Sequence, residues 1–577
     1  MQSGKRQMRH GRGLAISGVV AAAHALALCA AGGEMDEVDR LIAGPTLRAV
    51  RTDEARRIAV LEKAARAVVC IFPDRERSSG GSGVLISADG YGLTNFHVAG
   101  GFVETRRGYG GLSDGRLYPL RLVGVDPGGD VALFKLEGQD RAEAGPAAFD
   151  FAPLGDSDAL EVGQWVAVLG NPFTLAEDYT PTVTLGVISG LHRYQEGQGN
   201  LLEYADCIQV STSINPGNSG GPLFDLEGRV IGINGRASFA EERGRVNVGL
   251  GYAVSINQIK RFLPGLRAGR LCSHGTLGIM VRRVGPSLII GAIQGLSPAE
   301  RAGLQLGDEL LEVAGRPLRT PNQYNNLLAT LPANWPVRVK VRHPPPLDGA
   351  GHPGREIDAV ARLEPLPLRT PLVYTVDLEH NHAQIAWLLD EFEQRNSMRV
   401  SDRLSAGRGA LTWSGQARDD AAAARPFWVT VTPPFDVTGG AAAGVRAGGL
   451  PEVIAREWAG LSVPLVSRPA IGLGWEMLDG DEVAGEVVYV VERRLSDGQR
   501  VRWKFGLTTA VLRQVTFSQG DEAEAIVWTP GEIATWGELR WPQTWLRRDR
   551  AGAELSLEIA AYVAEPPAEP SRERRKP

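Results

Sequence analysis

The chain has 577 residues, a formal net charge of −5 at pH 7 and 43% hydrophobic residues. This length excludes a single hydrophobic core, and the usual domain size predicts three or four domains. A charged fraction of 22% is typical of a globular protein. The small net charge indicates no nucleic-acid partner, because nucleic-acid-binding surfaces are strongly basic.

The N-terminus has the pattern of a targeting segment. Basic residues precede an apolar run over residues 14–31, and two glycines follow. This order predicts a secretory signal peptide at residues 1–33 and a location in the periplasm or cell envelope. The run is nearly long enough to span a membrane, so an anchor is the alternative. Cys29 also leaves a lipid anchor open, although Leu28 is larger than the small residue expected before a lipidated cysteine.

The remaining cysteines and the histidines indicate no metal centre. Cys70, Cys207 and Cys272 form an odd set without paired spacing, so neither a disulfide framework nor a zinc site is predicted. Cys70 lies in an apolar run and is interpreted as a small buried hydrophobic residue. His380 and His382 are two residues apart in what is interpreted as a polar loop, without further ligand spacing. We therefore predict no metal and no cofactor.

Two candidate catalytic residues occur in the first third of the chain. Residues 81–98 indicate two short apolar strands joined by an Asp-Gly hairpin signal, with His97 where the second strand ends. A histidine there can accept a hydroxyl proton near neutral pH. Asp130 stands at the start of the next apolar strand, where its carboxylate can hold the imidazole in one tautomer. Asp126 is the alternative acid.

Ser219 lies in a turn built from Pro, Gly and Asn, within residues 213–223. Neighbouring glycines permit a backbone in which the N–H groups of Gly217 and Ser219 converge on one point. Such a pair of donors is an oxyanion hole, whereas a plain glycine-rich turn is the structural alternative. The chain order His97, Asp130, Ser219 is that of trypsin-like serine proteases.

These segments resemble the HtrA/Deg family of trypsin-like serine proteases over residues 55–262. The resemblance also covers residues 153–157, 170–173, 186–190 and 232–234. It implies a double β-barrel, with His97 as general base, Asp130 as its orienting acid and Ser219 as nucleophile. It further implies that the amides of Gly217 and Ser219 form the oxyanion hole, and that the protein forms a homo-oligomer, in this family generally a trimer.

The substrate pocket of trypsin-like enzymes is lined by residues just before the serine and on the following strand. Ile214 and Ile233 occupy those positions here. Neither side chain carries a charge that can pair with a substrate Arg or Lys. We therefore expect cleavage after small or medium aliphatic residues.

The protease domain is expected to occupy residues 67–265, preceded by a helical segment at residues 34–66. Its last element is predicted to be a helix that Ser255 caps and that Pro264 and Gly265 end. The helix separates the protease domain from the next unit of the chain.

Residues 274–366 resemble a PDZ domain of the HtrA type. The resemblance rests on residues 276–280, 291–293, 296–304, 307–311 and 315–318. It implies that a loop of Leu277, Gly278 and Ile279 offers amides to a peptide's terminal carboxylate, while the peptide adds a strand to the sheet. Residues 343–354 are predicted to form a flexible hairpin before a closing strand at residues 357–363.

The last third of the chain is rich in tryptophan: ten of the twelve lie beyond residue 367. Strands are predicted at residues 486–492, 501–505 and 511–517. We expect an antiparallel β domain at residues 367–564 and a disordered tail at residues 565–577. The domain is similar to the half-barrel of LolA-like lipoprotein carriers, which implies a lipid or lipoprotein ligand. A packed tryptophan-rich core is the favoured alternative.

The expected protein is thus mainly β: a trypsin-like double barrel, a PDZ domain and a C-terminal β domain. The function that follows is a secreted serine endopeptidase that cleaves unfolded or damaged envelope proteins. Its expected partners are unfolded polypeptides and protein C-termini. The alternative is a chaperone or client-binding scaffold with low resting protease activity.

Overall fold

The computed structural model describes residues 45–565 with gaps. Residues 1–44 and 566–577 lie outside the description, and so do Cys29, the predicted signal peptide and all but the first residue of the predicted tail. The internal gaps are residues 78, 139–147, 173–175, 196–203, 241–245, 345–353, 369–371, 396–409, 420–423, 437–442, 449, 451–453, 455–456, 459–460, 462–474, 496–497, 520–525 and 537–538.

The chain divides into two compact units, residues 1–64 and 65–577. Helix α1 spans Pro45–Ala65, inside the segment predicted to be helical. No helix in the described part of the chain has the length and apolar character that a membrane crossing requires. The protease-like, PDZ-like and C-terminal parts all belong to the second unit.

The first barrel contains six antiparallel strands. They are β1 (Val68–Phe72), β2 (Gly81–Leu85), β3 (Tyr91–Thr94), β4 (Arg107–Gly111), β5 (Leu117–Asp126) and β6 (Val131–Leu136). The barrel closes in the order β1-β2-β3-β6-β5-β4. All of β1 is buried, including Cys70, because its β-branched and apolar side chains fit a packed sheet. His97 lies in the short helix α2 (Phe96–Ala99), just beyond the strand end predicted for it.

The second barrel is built from the next six strands. They are β7 (Trp165–Gly170), β8 (Thr182–Gln195), β9 (Tyr204–Val210), β10 (Pro222–Phe224), β11 (Val230–Ala240) and β12 (Val246–Ser255). The order around it is β10-β11-β12-β9-β8-β7. The predicted mainly β fold with two barrels is confirmed.

Helix α3 spans Ile256–Arg267, and Pro264 lies inside it. The prediction that Pro264 and Gly265 end the helix is therefore wrong. The last turn is buried, Leu266 completely, so packing offsets the hydrogen bond that proline cannot donate. Ser255 does stand at the N-cap, but its side chain does not cap the helix. Its hydroxyl donates instead to Oδ2 of Asp206 at 2.7 Å.

The PDZ-like part combines a five-strand sheet path with short helices. Its elements are β13 (Gly275–Thr276), β14 (Ile279–Val284), β15 (Ser287–Ile293), α4 (Pro298–Arg301), β16 (Glu309–Val313), β17 (Arg316–Pro317), α5 (Pro321–Leu328), β18 (Pro336–Arg342), β19 (Glu356–Arg362) and β20 (Glu364–Pro365). The path is β14-β15-β16-β18-β19, so β14 is an edge strand; β17 pairs with β16, and β13 pairs with β20. Most of the predicted 343–354 hairpin lies outside the described residues.

Helix α5 joins this part to the second barrel. Asn326 donates from Nδ2 to the carbonyl of His192 at 3.1 Å, and its Oδ1 accepts from the amide of Asp206 at 2.7 Å. Arg261 of α3 donates to the hydroxyl of Thr330 at 2.6 Å. The PDZ-like part therefore rests on the strand β9 and on the helix that follows the barrel.

The C-terminal part is one large antiparallel sheet with a helix, α6 (Leu378–Arg395), and a separate two-stranded ribbon. Its strands are β21 (Ala410–Asp419), β22 (Ala424–Asp436), β23 (Ala443–Gly448), β24 (Trp475–Met477), β25 (Asp481–Val483), β26 (Glu486–Arg494), β27 (Arg500–Gly506), β28 (Leu512–Ser518), β29 (Ile526–Pro530), β30 (Ile533–Trp536), β31 (Leu539–Pro542), β32 (Thr544–Arg548) and β33 (Glu554–Glu565). The sheet order is β23-β22-β21-β33-β32-β29-β28-β27-β26-β24, with β25 paired to β26, and β30 pairs with β31. The predicted antiparallel sheet is confirmed.

The interior of this sheet holds a cluster of buried aromatic residues. Seven tryptophans of the cluster are at most 3% exposed: Trp413, Trp458, Trp475, Trp503, Trp528, Trp541 and Trp545. Tyr489 and Val491 belong to the same packed cluster, as the packed-core interpretation expects. The similarity to lipoprotein carriers and the lipid ligand stay predictions.

Helix α6 contacts the protease-like part. His380 and His382 lie on this helix, so the prediction that they lie in a polar loop is wrong. Nε2 of His380 lies 2.9 Å from the carbonyl oxygen of Arg267, and Nε2 of His382 lies 2.9 Å from that of Trp475. The helix forms because its apolar residues pack into the tryptophan-rich cluster. Within the described residues, no group of three or more His, Cys, Asp or Glu could hold a metal ion.

Candidate active site

His97 and Asp130 meet at one end of the first barrel. Nδ1 of His97 lies 2.8 Å from Oδ2 and 3.1 Å from Oδ1 of Asp130. The backbone N–H of His97 also donates to Oδ1 at 2.9 Å. Asp130 is completely buried, whereas the side chain of His97 is 42% exposed. The carboxylate therefore holds Nδ1 of the imidazole, and Nε2 remains available for proton transfer.

Asp130 adopts a left-handed backbone conformation, with φ of 55°. Aspartate tolerates this region better than most residues, and strained backbone often occurs at functional sites. The carbonyl of Asp130 accepts from Nδ2 of Asn95 at 2.9 Å. This bond holds the turn before β6 against the turn that precedes α2.

Burial and the charge of Asp130 shift the pKa of His97 in opposite directions. Burial lowers the pKa of this imidazole, but the hydrogen bond to Asp130 and its negative charge raise it by more. The net result is a pKa above the ordinary value of 6.5. The imidazolium is therefore stabilised, as a general base in acyl transfer requires.

The Ser219 loop belongs to the second barrel and precedes β10. Gly217 has φ of 101°, a conformation that favours glycine. Ser82 of the first barrel holds the loop through its side chain and its backbone. Its hydroxyl donates to the carbonyl of Gly217 at 2.6 Å, and its amide donates to the carbonyl of Ser219 at 2.9 Å. The loop is thus placed beside the turns that carry His97 and Asp130.

The two candidate oxyanion donors are backbone amides of the serine loop. Within the described part of the chain, neither the amide of Gly217 nor that of Ser219 donates a hydrogen bond. The hydroxyl of Ser219 donates to the carbonyl of Gly235 at 3.3 Å. Among the described residues it forms no hydrogen bond with His97. The structure therefore joins His97 to Asp130 directly, and it joins Ser219 to them only through the surrounding loops.

Tyr204 is a residue of this region that the sequence analysis missed. Its hydroxyl donates to Oδ2 of Asp130, across the junction between the two barrels. A tyrosine in an apolar strand usually indicates a core residue, so the sequence pattern alone contained no signal for this contact.

Asp126, the alternative acid, has a different partner. Its Oδ1 lies 2.8 Å from Nε2 of His274, and it accepts from the amide of Gly129 at 2.9 Å. Nδ1 of the same imidazole lies 2.5 Å from the carbonyl of Ala329. Asp126 therefore shapes the turn before Asp130 and joins it to the PDZ-like part.

The two predicted pocket residues are buried. Ile214 is 1% exposed and Ile233 is 0% exposed, and Ile214 packs in the core of the second barrel. Neither presents accessible surface in this conformation. The role of both in substrate selection stays a prediction.

The predicted peptide-binding loop precedes the edge strand β14. Leu277 is completely buried, and its carbonyl accepts from the amide of Ala299 at 3.1 Å. The amide of Gly278 donates to Oγ1 of Thr276 at 3.1 Å, so a carboxylate would compete for this N–H. Ile279 begins β14, which among the described strands pairs with β15 alone, so its other edge could accept an added strand.

Comparison with known proteins gives matches in two regions. Residues 81–233 match the trypsin-like peptidase domain model, and residues 289–343 match a PDZ domain model. The chain is therefore similar to a trypsin-like peptidase in its first region and to a PDZ domain in its second. Both barrels and the edge-strand sheet described above agree with these matches.

Curated relatives carry the name "Probable periplasmic serine endoprotease DegP-like". The one from Marinomonas sp. (strain MWYL1) is 36% identical over 280 residues, which are 46% of this chain and 55% of the relative. The one from Halomonas elongata is 37% identical over 278 residues, 46% of this chain and 54% of the relative. The chain thus spans about half the length of these relatives.

A solved structure described as "HtrA-type protease AlgW with tripeptide" is 29% identical. The match covers 54% of this chain and 98% of that chain, with a TM-score of 0.43. The similarity to HtrA/Deg proteases is carried by the two domain matches and the curated relatives.

Proposed function

We propose that this chain is a serine endopeptidase in which His97, Asp130 and Ser219 form the catalytic triad. The observation that carries the proposal is the buried Asp130 carboxylate on Nδ1 of His97, beside a serine loop held by Ser82. The names of the relatives support the same activity. With the buried carboxylate of Asp130 on Nδ1 of His97, Nε2 of the same ring can take the serine proton.

Each residue then has a defined role in acyl transfer. The Ser219 hydroxyl attacks the peptide carbonyl while His97 takes its proton, and Asp130 stabilises the imidazolium that forms. The amides of Gly217 and Ser219, which have no acceptor among the described residues, donate to the developing oxyanion. His97 then protonates the leaving amine, and water releases the acyl group.

The substrate preference follows from the uncharged residues near the serine. With Ile214 and Ile233 at the pocket positions, a substrate Arg or Lys would find no partner charge, and burying it unpaired is costly. We propose cleavage after small or medium aliphatic residues. The buried state of both isoleucines requires the pocket to open when substrate binds.

Protein clients and an envelope location complete the proposal. The free edge of β14 and the loop of Leu277, Gly278 and Ile279 are suited to bind a polypeptide C-terminus as an added strand. Relatives named periplasmic, together with the signal-like N-terminus, support action on unfolded envelope proteins. We propose assembly into a homotrimer through the protease part.

One observation favours the second candidate, a client-binding protein with low resting activity. The Ser219 hydroxyl donates to Gly235 and has no hydrogen bond to His97 among the described residues. In this geometry the serine proton is not delivered to its base. Productive alignment then depends on binding of substrate or of a PDZ ligand.

Casein digestion by purified protein distinguishes the two candidates. Ser219→Ala removes the nucleophile, so digestion should fall by at least about 10⁴-fold while the fold is kept. Ser213→Ala is the matched control, because this exposed serine lies in the same loop. Substantial digestion by Ser219→Ala would reject the triad. A wild type that leaves casein intact but, like Ser219→Ala, prevents aggregation of an unfolded protein would establish the second candidate.

A further inference from the structure

Tyr204 connects the two barrels at the candidate site. It is the first residue of β9 in the second barrel, and its side chain is nearly buried at 5% exposure. Its hydroxyl donates to Oδ2 of Asp130, which belongs to the first barrel and lies 74 positions earlier in the chain. The same Oδ2 is the oxygen closest to Nδ1 of His97.

The donors around Asp130 show why this hydroxyl matters. His97 supplies two of them, its backbone N–H and its Nδ1–H, so both depend on one residue of the first barrel. Tyr204 supplies a donor from the opposite barrel. A completely buried carboxylate needs such partners, because an unsatisfied buried charge is strongly unfavourable.

The tyrosine ring also lies against Gly235 of β11. A Cβ added at Gly235 would lie 2.6 Å from Cε1 and 2.8 Å from the hydroxyl of Tyr204, so only glycine fits there. The register between β11 and β12 shifts at this point, between Asn234 and Arg236. The carbonyl of Gly235 is the acceptor of the Ser219 hydroxyl. One side chain therefore contacts both the acid and the backbone that accepts the Ser219 hydroxyl in this conformation.

We propose that Tyr204 is a positioning residue for the triad, tying the acid of the first barrel to the serine-bearing second barrel. The proposal rests on the proposed endopeptidase function. In the proposed mechanism Tyr204 takes no part in bond formation or proton transfer. It acts through Asp130, by holding the carboxylate oxygen that faces Nδ1 of His97.

The test is Tyr204→Phe in the full-length protein, which removes the hydroxyl and keeps the ring. Tyr118→Phe is the matched control, because Tyr118 also donates its hydroxyl to an aspartate, Asp114 at 2.7 Å, elsewhere in the first barrel. With labelled casein, kcat of Tyr204→Phe should fall about tenfold, equivalent to about 1.4 kcal/mol, with KM unchanged. The control should keep the wild-type kcat.

A second readout separates positioning from a merely structural contribution. Without the Tyr204 hydroxyl, Oδ2 of Asp130 loses a hydrogen-bond donor that competes with His97. The carboxylate then stabilises the imidazolium more strongly, and the pKa of His97 rises. The acidic limb of kcat/KM should therefore move to higher pH in Tyr204→Phe and stay in place in Tyr118→Phe. If kcat and the limb of Tyr204→Phe match those of Tyr118→Phe after correction for folded fraction, the proposal is overturned.

Two measurements keep the test independent of peptide turnover. NMR titration of labelled histidines should give a higher titration midpoint for His97 in Tyr204→Phe, whether or not casein is cleaved. The rate at which diisopropyl fluorophosphate modifies Ser219 should fall about tenfold, because the reagent reports on the activated serine alone. An unreactive wild type would reject the proposed function, whereas a reactive wild type with an equally reactive Tyr204→Phe would reject only the positioning role.

Discussion

The two protease barrels and the C-terminal sheet are antiparallel β structures, but they bury different kinds of side chain. The protease barrels bury a charged and hydrogen-bonded set around Asp130 where they meet. The C-terminal sheet buries a tryptophan cluster around Trp458. Buried polar groups specify one geometry at an energetic cost, whereas buried aromatic area stabilises the fold without specifying chemistry. Substitutions in the two regions should therefore separate activity from stability.

The largest expected effect is that of Asp130→Asn. The amide would favour the wrong tautomer of His97, so kcat should fall by about 10⁴-fold, while the melting temperature above the raised His97 pKa changes little. Labelled-casein kinetics and a thermal melt measure both quantities. Asp126→Asn is the matched control, because its carboxylate faces His274 instead. A similar loss of kcat in both variants would contradict the assignment of Asp130 as the acid.

The converse change is Trp458→Ala in the C-terminal sheet. Trp458 is completely buried, with ring centroids of four aromatic neighbours within 6.2 Å: Trp413, Phe427, Trp528 and Trp545. Removing it should lower the free energy of unfolding of this part by about 3–5 kcal/mol. Denaturant unfolding measures the loss, and kcat per folded molecule should stay near the wild-type value.

Trp165→Ala is the control for that experiment, because Trp165 is 58% exposed. It should change stability by less than about 0.5 kcal/mol. Equal losses from the two tryptophan substitutions would show that the cluster does not form the core of the C-terminal part.

The smallest expected effect is the pH dependence of the wild type. The pKa of His97 is raised above 6.5, and the base must be neutral, so kcat/KM should fall about tenfold per pH unit below that raised pKa. The free energy of unfolding changes with pH in the opposite direction and falls as pH rises. The stabilisation from the His97–Asp130 pair is complete below pH 6.5 and is lost as pH rises through the folded pKa.

Rates and thermal melts between pH 5 and 9 measure both trends. His380 does not interfere, because burial lowers its pKa to about 4. Asp130→Asn supplies the control, since it removes the charge that raises the His97 pKa. A wild-type acidic limb below pH 6.5 would contradict the described electrostatics.

The predictable part of the candidate site consists of short local patterns. The Gly217 conformation, the hairpin before His97 and the strand after Asp130 each depend on a few adjacent residues. Glycines, hairpin signals and apolar runs predict the conformation of the backbone at their own positions. Three strands of the C-terminal sheet, β26 to β28, were predicted from the same signals, within about two residues at each end.

Other features depended on contacts that no local pattern contains. The end of α3 was predicted at Pro264, but burial of the following turn against the first barrel overrides that signal. His380 seemed to lie in a loop because polar residues surround it, yet it lies on a helix packed against the protease part. Local propensity is a weak prior wherever tertiary burial contributes several kcal/mol.

Local patterns in the sequence were enough to predict the mainly β architecture and the glycine-built serine loop, because strand and turn signals are short runs of adjacent residues. The candidate triad residues were predicted from their order in the chain and from the family resemblance. Three contacts became apparent from the folded chain alone: Asp126 lies against His274, Tyr204 donates to Asp130 across the barrels, and the Ser219 hydroxyl donates to Gly235. These contacts join residues distant in the chain. Their formation depends on how the two barrels pack, and packing is a property of the whole fold.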